Sequence, residues 1–134
     1  MAIIATRGTH NSLATLFTMA MAAAVCEMPV RIFFRDEAVY ALSKKKIGEL
    51  PFSAVYAGFE NELKKTYTSA GMSDLRKVIH DVKSQGDVKL FACTSSMALC
   101  GLTQEELIPE IDEPRGLTSF LLEEMDDAGM ILTF

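Results

Sequence analysis

Gly86-Asp87-Val88-Lys89-Leu90-Phe91-Ala92-Cys93-Thr94-Ser95-Ser96-Met97-Ala98-Leu99-Cys100-Gly101-Leu102 is the stretch from which the fold is read. After a Gly-Asp turn it runs as an apolar, β-rich segment into Cys93, and Thr94, Ser95 and Ser96 then offer side chains that cap helix starts. The reading is a strand feeding a helix, with a thiol at the junction. Unpaired backbone N–H groups and the positive end of a helix dipole favour an anion there, and a thiolate is such an anion. The competing reading of Cys93 is a small buried hydrophobe, since free cysteine is among the most buried residue types.

The same alternation extends outward in both directions. Ala2 to Thr6 reads as a first strand, followed by a turn at Arg7-Gly8-Thr9-His10-Asn11 in which Asn11 or Ser12 caps a helix from about Leu13 to Cys26. That helix is apolar on one face and only Ala, Thr and Met on the other, which predicts burial on both sides and a subunit interface. Pro29 ends it. Val30 to Phe34 is a continuous apolar run suited to a parallel strand covered on both faces, and Arg35-Asp36-Glu37 follows. A short helix then leads into Lys44-Lys45-Lys46.

Residues of about 47–72 are too long for a plain connection and read as a middle helical insertion, a lid or contact arm with one helix from about Phe59 to Thr68. Ser73 is placed as the cap of a helix running to Gln85. Beyond the Cys93 helix, Thr103 to Glu106 has the pattern of a capping box, Leu107 to Ile111 includes a short strand, and Pro114 to Asp127 reads as a helix. Met130 to Phe134 closes the sheet. The fold class expected is α/β, with a mainly parallel four- or five-stranded sheet flanked by helices in a flavodoxin-like three-layer sandwich, as one domain over 1–134. Ligands of such sheets sit beyond the carboxyl ends of the strands, where Arg7, His10, Arg35 and Cys93 are expected to converge.

Composition narrows the function. The chain has 134 residues, 49% hydrophobic and 23% charged, which is enough for one unstapled core. Net charge is −5 and uneven: residues 101–134 carry 9 acidic and 1 basic group, the wrong balance for a nucleic-acid partner. Three cysteines at spacings unlike a zinc site or a disulfide framework point to reduced thiols in the cytoplasm, and no metal or cofactor is called for. Leu13 to Met28 contains two threonines and Glu27 and is too short for a membrane span.

The segment Cys93-Thr94-Ser95-Ser96-Met97, followed by Gly101-Leu102 and Glu105-Glu106-Leu107-Ile108, resembles the DsrE/DsrF-like family of sulfur-relay proteins, and most resembles stand-alone members with Cys-x-x-Ser-Met-x-x-x-Gly. The resemblance spans the chain, through Phe33-Phe34-Arg35-Asp36 and the insertion to Phe134. It implies a homotrimer or hexamer and a sulfurtransferase-like carrier that takes persulfide or thiosulfonate sulfur on Cys93 from a donor protein and yields it to an acceptor. Two positions depart from the pattern: Ala38 stands where a glycine is common, and Cys100 is a second thiol.

Such chemistry calls for groups to hold an anionic donor, for which Arg7, His10, Arg35, Thr94, Ser95 and Ser96 are the candidates. Cys100 is either a resolving thiol for Cys93 or a core residue. The alternative function is a non-catalytic oligomer that binds a small anion or a partner, with Cys93 merely packed. A rhodanese-like loop is excluded, because no arginine lies within the five residues after Cys93.

Overall fold

A computed structural model describes all residues, 1–134. Five parallel strands form one sheet in the order β4-β3-β2-β1-β5, with β1 at Ala2–Ala5, β2 at Val30–Phe34, β3 at Val88–Cys93, β4 at Glu113–Arg115 and β5 at Ile131–Thr133. The helices are α1 (His10–Val25), α2 (Glu37–Ala41), α3 (Glu60–Ser69), α4 (Leu75–Gln85), α5 (Thr94–Cys100) and α6 (Leu117–Phe120). The expected α/β fold with a parallel sheet is present.

Strand alternation sorts the helices into layers. Phe34 points to the face where Phe17 of α1 meets it at 6.0 Å between ring centroids, and α4 packs along α1 on that side. Phe33 and its register partner Phe91 point to the other face, where Phe120 of α6 stacks on Phe33 at 4.7 Å and meets Phe91 edge-on at 5.7 Å. Phe120 is fully buried. Each such ring contributes roughly 1.5–3 kcal/mol by leaving water, so these phenyl clusters fix α1 and α6 on opposite faces.

After Phe120 the chain widens into a π-helical turn, Leu121–Met125. Glu124 of this turn bridges Arg31 of β2, at 3.0 Å, and Arg115 of β4, at 2.6 Å, and so clamps the turn across two strands. At the opposite side of the fold, α2 presses against the β1–α1 loop. A Cβ on Gly8 would lie 2.5 Å from the Glu37 carbonyl oxygen, so only glycine permits that approach.

Several sequence expectations are corrected. Helix α1 begins at His10, one turn earlier than expected, with Thr9 at its N-cap in place of Asn11 or Ser12. Within the chain one side of α1 packs against the core and α4, while Thr15, Thr18, Met19, Ala22 and Val25 are exposed on the side expected to meet another subunit. Asp74, not Ser73, caps α4 by accepting from the Lys77 amide at 3.2 Å. The strand expected in 107–111 is displaced to Glu113–Arg115. Leu107 makes only an isolated bridge to Ser43, and Pro114 belongs to β4, an edge strand that tolerates its missing N–H.

Candidate functional site

Strand β3 is buried along its length except at Lys89, and it ends on Cys93 at the carboxyl edge of the sheet. The register sets Cys93 beside Arg115 of β4, while the pairing of Phe34 with Ala92 brings Arg35 alongside Cys93 on the other flank. Cys93 is a free thiol and also the N-cap residue of α5. The hydroxyls of Thr94, Ser95 and Ser96 do not cap this helix. With seven residues α5 is two turns long, a weak source of field at its start.

Ser96 has a different use. It is 3% exposed, its Oγ accepts the Asp36 amide N–H at 2.9 Å, and its hydroxyl donates to Asp36 Oδ1 at 3.3 Å. Asp36 is held at φ 52°, ψ −126°, a conformation that suits glycine and costs other residues about 1–3 kcal/mol. Arg35 Nε donates to Asp36 Oδ2 at 3.1 Å. An Arg35–Asp36–Ser96 chain therefore runs across the ends of β2 and α5, next to Cys93, with Thr94 and Ser95 exposed above it.

Cys93 itself is 3% exposed and belongs to the apolar core cluster, and none of the larger cavities reaches it. The sheet edge thus carries the expected residues in a closed arrangement. Arg115, on the other flank, has its guanidinium over the Phe91 ring at 4.2 Å and bonded to Glu113 and Glu124. Burial pulls its pKa down, and the carboxylates of Glu113 and Glu124 more than reverse this, so it stays charged but already neutralised.

The other predicted residues go elsewhere. Arg7 is exposed at the end of β1 and makes no ion pair. His10 is drawn away from the edge: its Nε2 lies 2.9 Å from the Met72 carbonyl, and its ring packs against Phe52 and Tyr67 at 5.2 and 5.1 Å. Burial pushes its pKa below 6.5, with the Met72 bond working in the opposite direction. A neutral imidazole is a poor anion ligand.

Cys100 lies half-buried at the far end of α5 and borders a cavity of about 340 Å³ with Lys44, Lys45 and Lys46. A helical rise of 1.5 Å per residue sets Cys93 and Cys100 about 10 Å apart along the axis. A disulfide spans at most about 7 Å between Cα atoms, so a Cys93–Cys100 bridge requires α5 to unwind. Cys26, at the end of a helix expected to be buried on both sides, is exposed just past α1.

Arg115 and the strained conformation of Asp36 had no sequence signal. Arg115 was read into a helix, and nothing local marks Asp36 as positive in φ. No three His, Cys, Asp or Glu side chains come together in a way that could hold a metal ion, and no helix is long and apolar enough to cross a membrane.

A solved structure of a protein of unknown function, MTH1491 from Methanobacterium thermoautotrophicum, superposes with a TM-score of 0.63 at 9% identity, covering 99% of this chain and 96% of that one. At that identity the likeness speaks for the fold alone. No curated protein matches. The DsrE/DsrF-like family model matches residues 1–134, the whole chain. With a thiol-terminated interior strand in a parallel sheet and a family match from end to end, the chain belongs to the DsrE/DsrF-like family.

Proposed function

We propose that this protein is a cytoplasmic sulfur carrier that accepts persulfide or thiosulfonate sulfur on Cys93 and passes it to a partner protein. Membership of the DsrE/DsrF-like family suggests a role in sulfur relay. The observation that carries the finer reading is the free Cys93 thiol at the end of β3, flanked by Arg35 and joined through the first turn of α5 to the Ser96–Asp36 contact. In loading from tetrathionate, the Cys93 thiolate attacks one inner sulfur, the central S–S bond breaks, and thiosulfate leaves with the electron pair. In loading from a persulfide, the outer sulfur moves to Cys93 and the donor departs as its thiolate.

At 3% exposure Cys93 is reached only when the residues that cover it open locally. The same closure then shelters a loaded sulfur from stray thiols. Exposed Val25, Met28, Leu122 and Ile131 provide apolar surface for the trimer or hexamer included in this reading, which sedimentation checks as an assembly larger than a monomer at micromolar concentration.

The test is intact-protein mass spectrometry after incubation with tetrathionate or a low-molecular-weight persulfide. In a Cys26→Ala background, which removes the exposed thiol, the expected result is one adduct on the parent and on Cys100→Ala and none in Cys93→Ala; an unchanged adduct in Cys93→Ala overturns the assignment. The burial of Cys93 favours a second reading, a non-catalytic oligomer that binds a small anion or a partner. Iodoacetamide separates the two: under the second reading Cys93 stays unmodified in the folded protein under every condition in which Cys26 is fully alkylated.

A further inference from the structure

The largest cavity, about 720 Å³, lies apart from Cys93, between the Gly48–Phe52 loop and the inward side of α3. We propose that this cleft is a binding site for a small zwitterion of the amino-acid class.

The first support is His10, which is 8% exposed and borders the cleft. A carbonyl oxygen only accepts, so the His10 Nε2 that meets Met72 O must carry the hydrogen. In the neutral ring the lone pair is then on Nδ1. Nδ1 has no hydrogen-bond partner in the protein, yet it is not among the sealed, unpartnered atoms, of which Glu110 Oε2 is the sole member. The cavity that His10 borders is the cleft. A buried imidazole with Nε2 engaged therefore leaves one acceptor unused beside a cavity.

The second support is the construction of α3, which buries none of its residues. The α3 side chains that border the cleft are Glu60, Lys64, Tyr67 and Thr68, spaced i, i+4, i+7 and i+8, with Glu60 and Tyr67 half-buried and Lys64 and Thr68 exposed, so a mostly polar stripe lines this wall of the cavity. Glu60 is engaged locally, accepting the Gly58 amide at 2.8 Å. Lys64 of this stripe and Glu49 of the opposite wall have no ion-pair partner within 4.0 Å, although they carry opposite charges around one cavity.

An ammonium donating to His10 Nδ1 and Glu49, with a carboxylate on Lys64, satisfies all three groups at once. Phe52 and Tyr67 supply the apolar wall for a side chain. The cavity lies within the roughly 300–1,000 Å³ range of small-molecule sites.

The test follows the imidazole nitrogens of histidine-labelled, full-length protein at neutral pH during titration with glycine, L-methionine, L-glutamate and L-lysine. The exposed His80 is the internal control. The expected result is a saturable change at His10 Nδ1, with His80 unmoved, for at least one of these zwitterions, and binding at least about tenfold weaker for ethylamine and for acetate. Lys64→Met and Glu49→Gln, both on the exposed rim, should each weaken binding about fivefold or more while leaving the rest of the spectrum native. No response to any zwitterion up to about 10 mM overturns the proposal. So does equal binding of ethylamine, or full affinity in both variants. Cys93 is not involved, so failure here leaves the carrier reading untouched, and the reverse also holds.

Discussion

Residues 88–97 and residues 52–72 are held in place by different forces. In the first segment Val88, Leu90, Phe91, Ala92, Cys93, Ser96 and Met97 are all buried, and position follows from close packing. In the second no residue is buried. The arm hangs on a few hydrogen bonds to the start of α1: the His10 amide to Pro51 O at 2.8 Å, the Ser53 amide to Asn11 Oδ1 at 2.8 Å, and the His10 ring to Met72 O. Segments of that kind open with low free energy. The sheet edge therefore protects chemistry by closure, whereas the arm frames a space.

That contrast breaks most visibly in stability. Phe120→Ala removes a ring stacked against Phe33 and Phe91 and should cost about 3–5 kcal/mol, whereas Val55→Ala, at a side chain 81% exposed, should stay within about 0.5 kcal/mol. Denaturant unfolding followed by circular dichroism compares them directly, and similar losses would mean that the arm is packed as firmly as the sheet.

A smaller effect sharpens the comparison at the edge itself. Ser96→Ala leaves the part-buried Asp36 amide without its acceptor, which should cost about 1–3 kcal/mol. Because this contact holds the first turn of α5, alkylation of Cys93 should also speed up in the variant. Unchanged alkylation would show that the turn is held by packing alone.

The smallest effect is on the arm and depends on pH. Burial holds the folded-state pKa of His10 below 6.5, so the open state takes up a proton first as pH falls. Stability of the closed arm is therefore fully present above about pH 6.5 and is lost as pH falls toward the lower folded pKa. Hydrogen exchange at the Ser53 and Met72 amides should accelerate over that interval in the wild type but not in His10→Gln. The sheet amides should not respond. The other titratable groups lining the cleft with His10 are Glu49, Glu60, Lys64 and Tyr67.

Much of this contrast is legible in the sequence. Strand β2 was placed to the residue, because an uninterrupted apolar run stands between Pro29 and Arg35. Strand β3 and its turn into α5 follow from the same logic, and the helix expected from about Phe59 to Thr68 is found at Glu60–Ser69. The misreadings of polar side chains at the site share one cause, which is that their partners lie far along the chain. His10 was grouped with Arg7 because they are three residues apart, but its ring answers to Met72, 62 residues away. Ser96 looked like a helix cap, and its bond instead goes to Asp36, 60 residues away. Pro114 suggested a helix start, and only the sheet order shows that β4 is an edge where a proline is tolerated. Local pattern reports propensity and burial; it carries no record of which distant backbone group a polar side chain will meet.

The parallel pairing of β1 with β5 has a practical corollary. The Met1 ammonium is fastened to Pro29 O at 2.7 Å, on the rim of the sheet remote from Cys93. Phe134, by contrast, receives the Thr6 amide at 2.7 Å on the rim that Cys93 shares. An affinity tag or fluorophore ahead of residue 1 leaves the thiol rim unobstructed, whereas one appended after residue 134 emerges on it and competes with any docking protein.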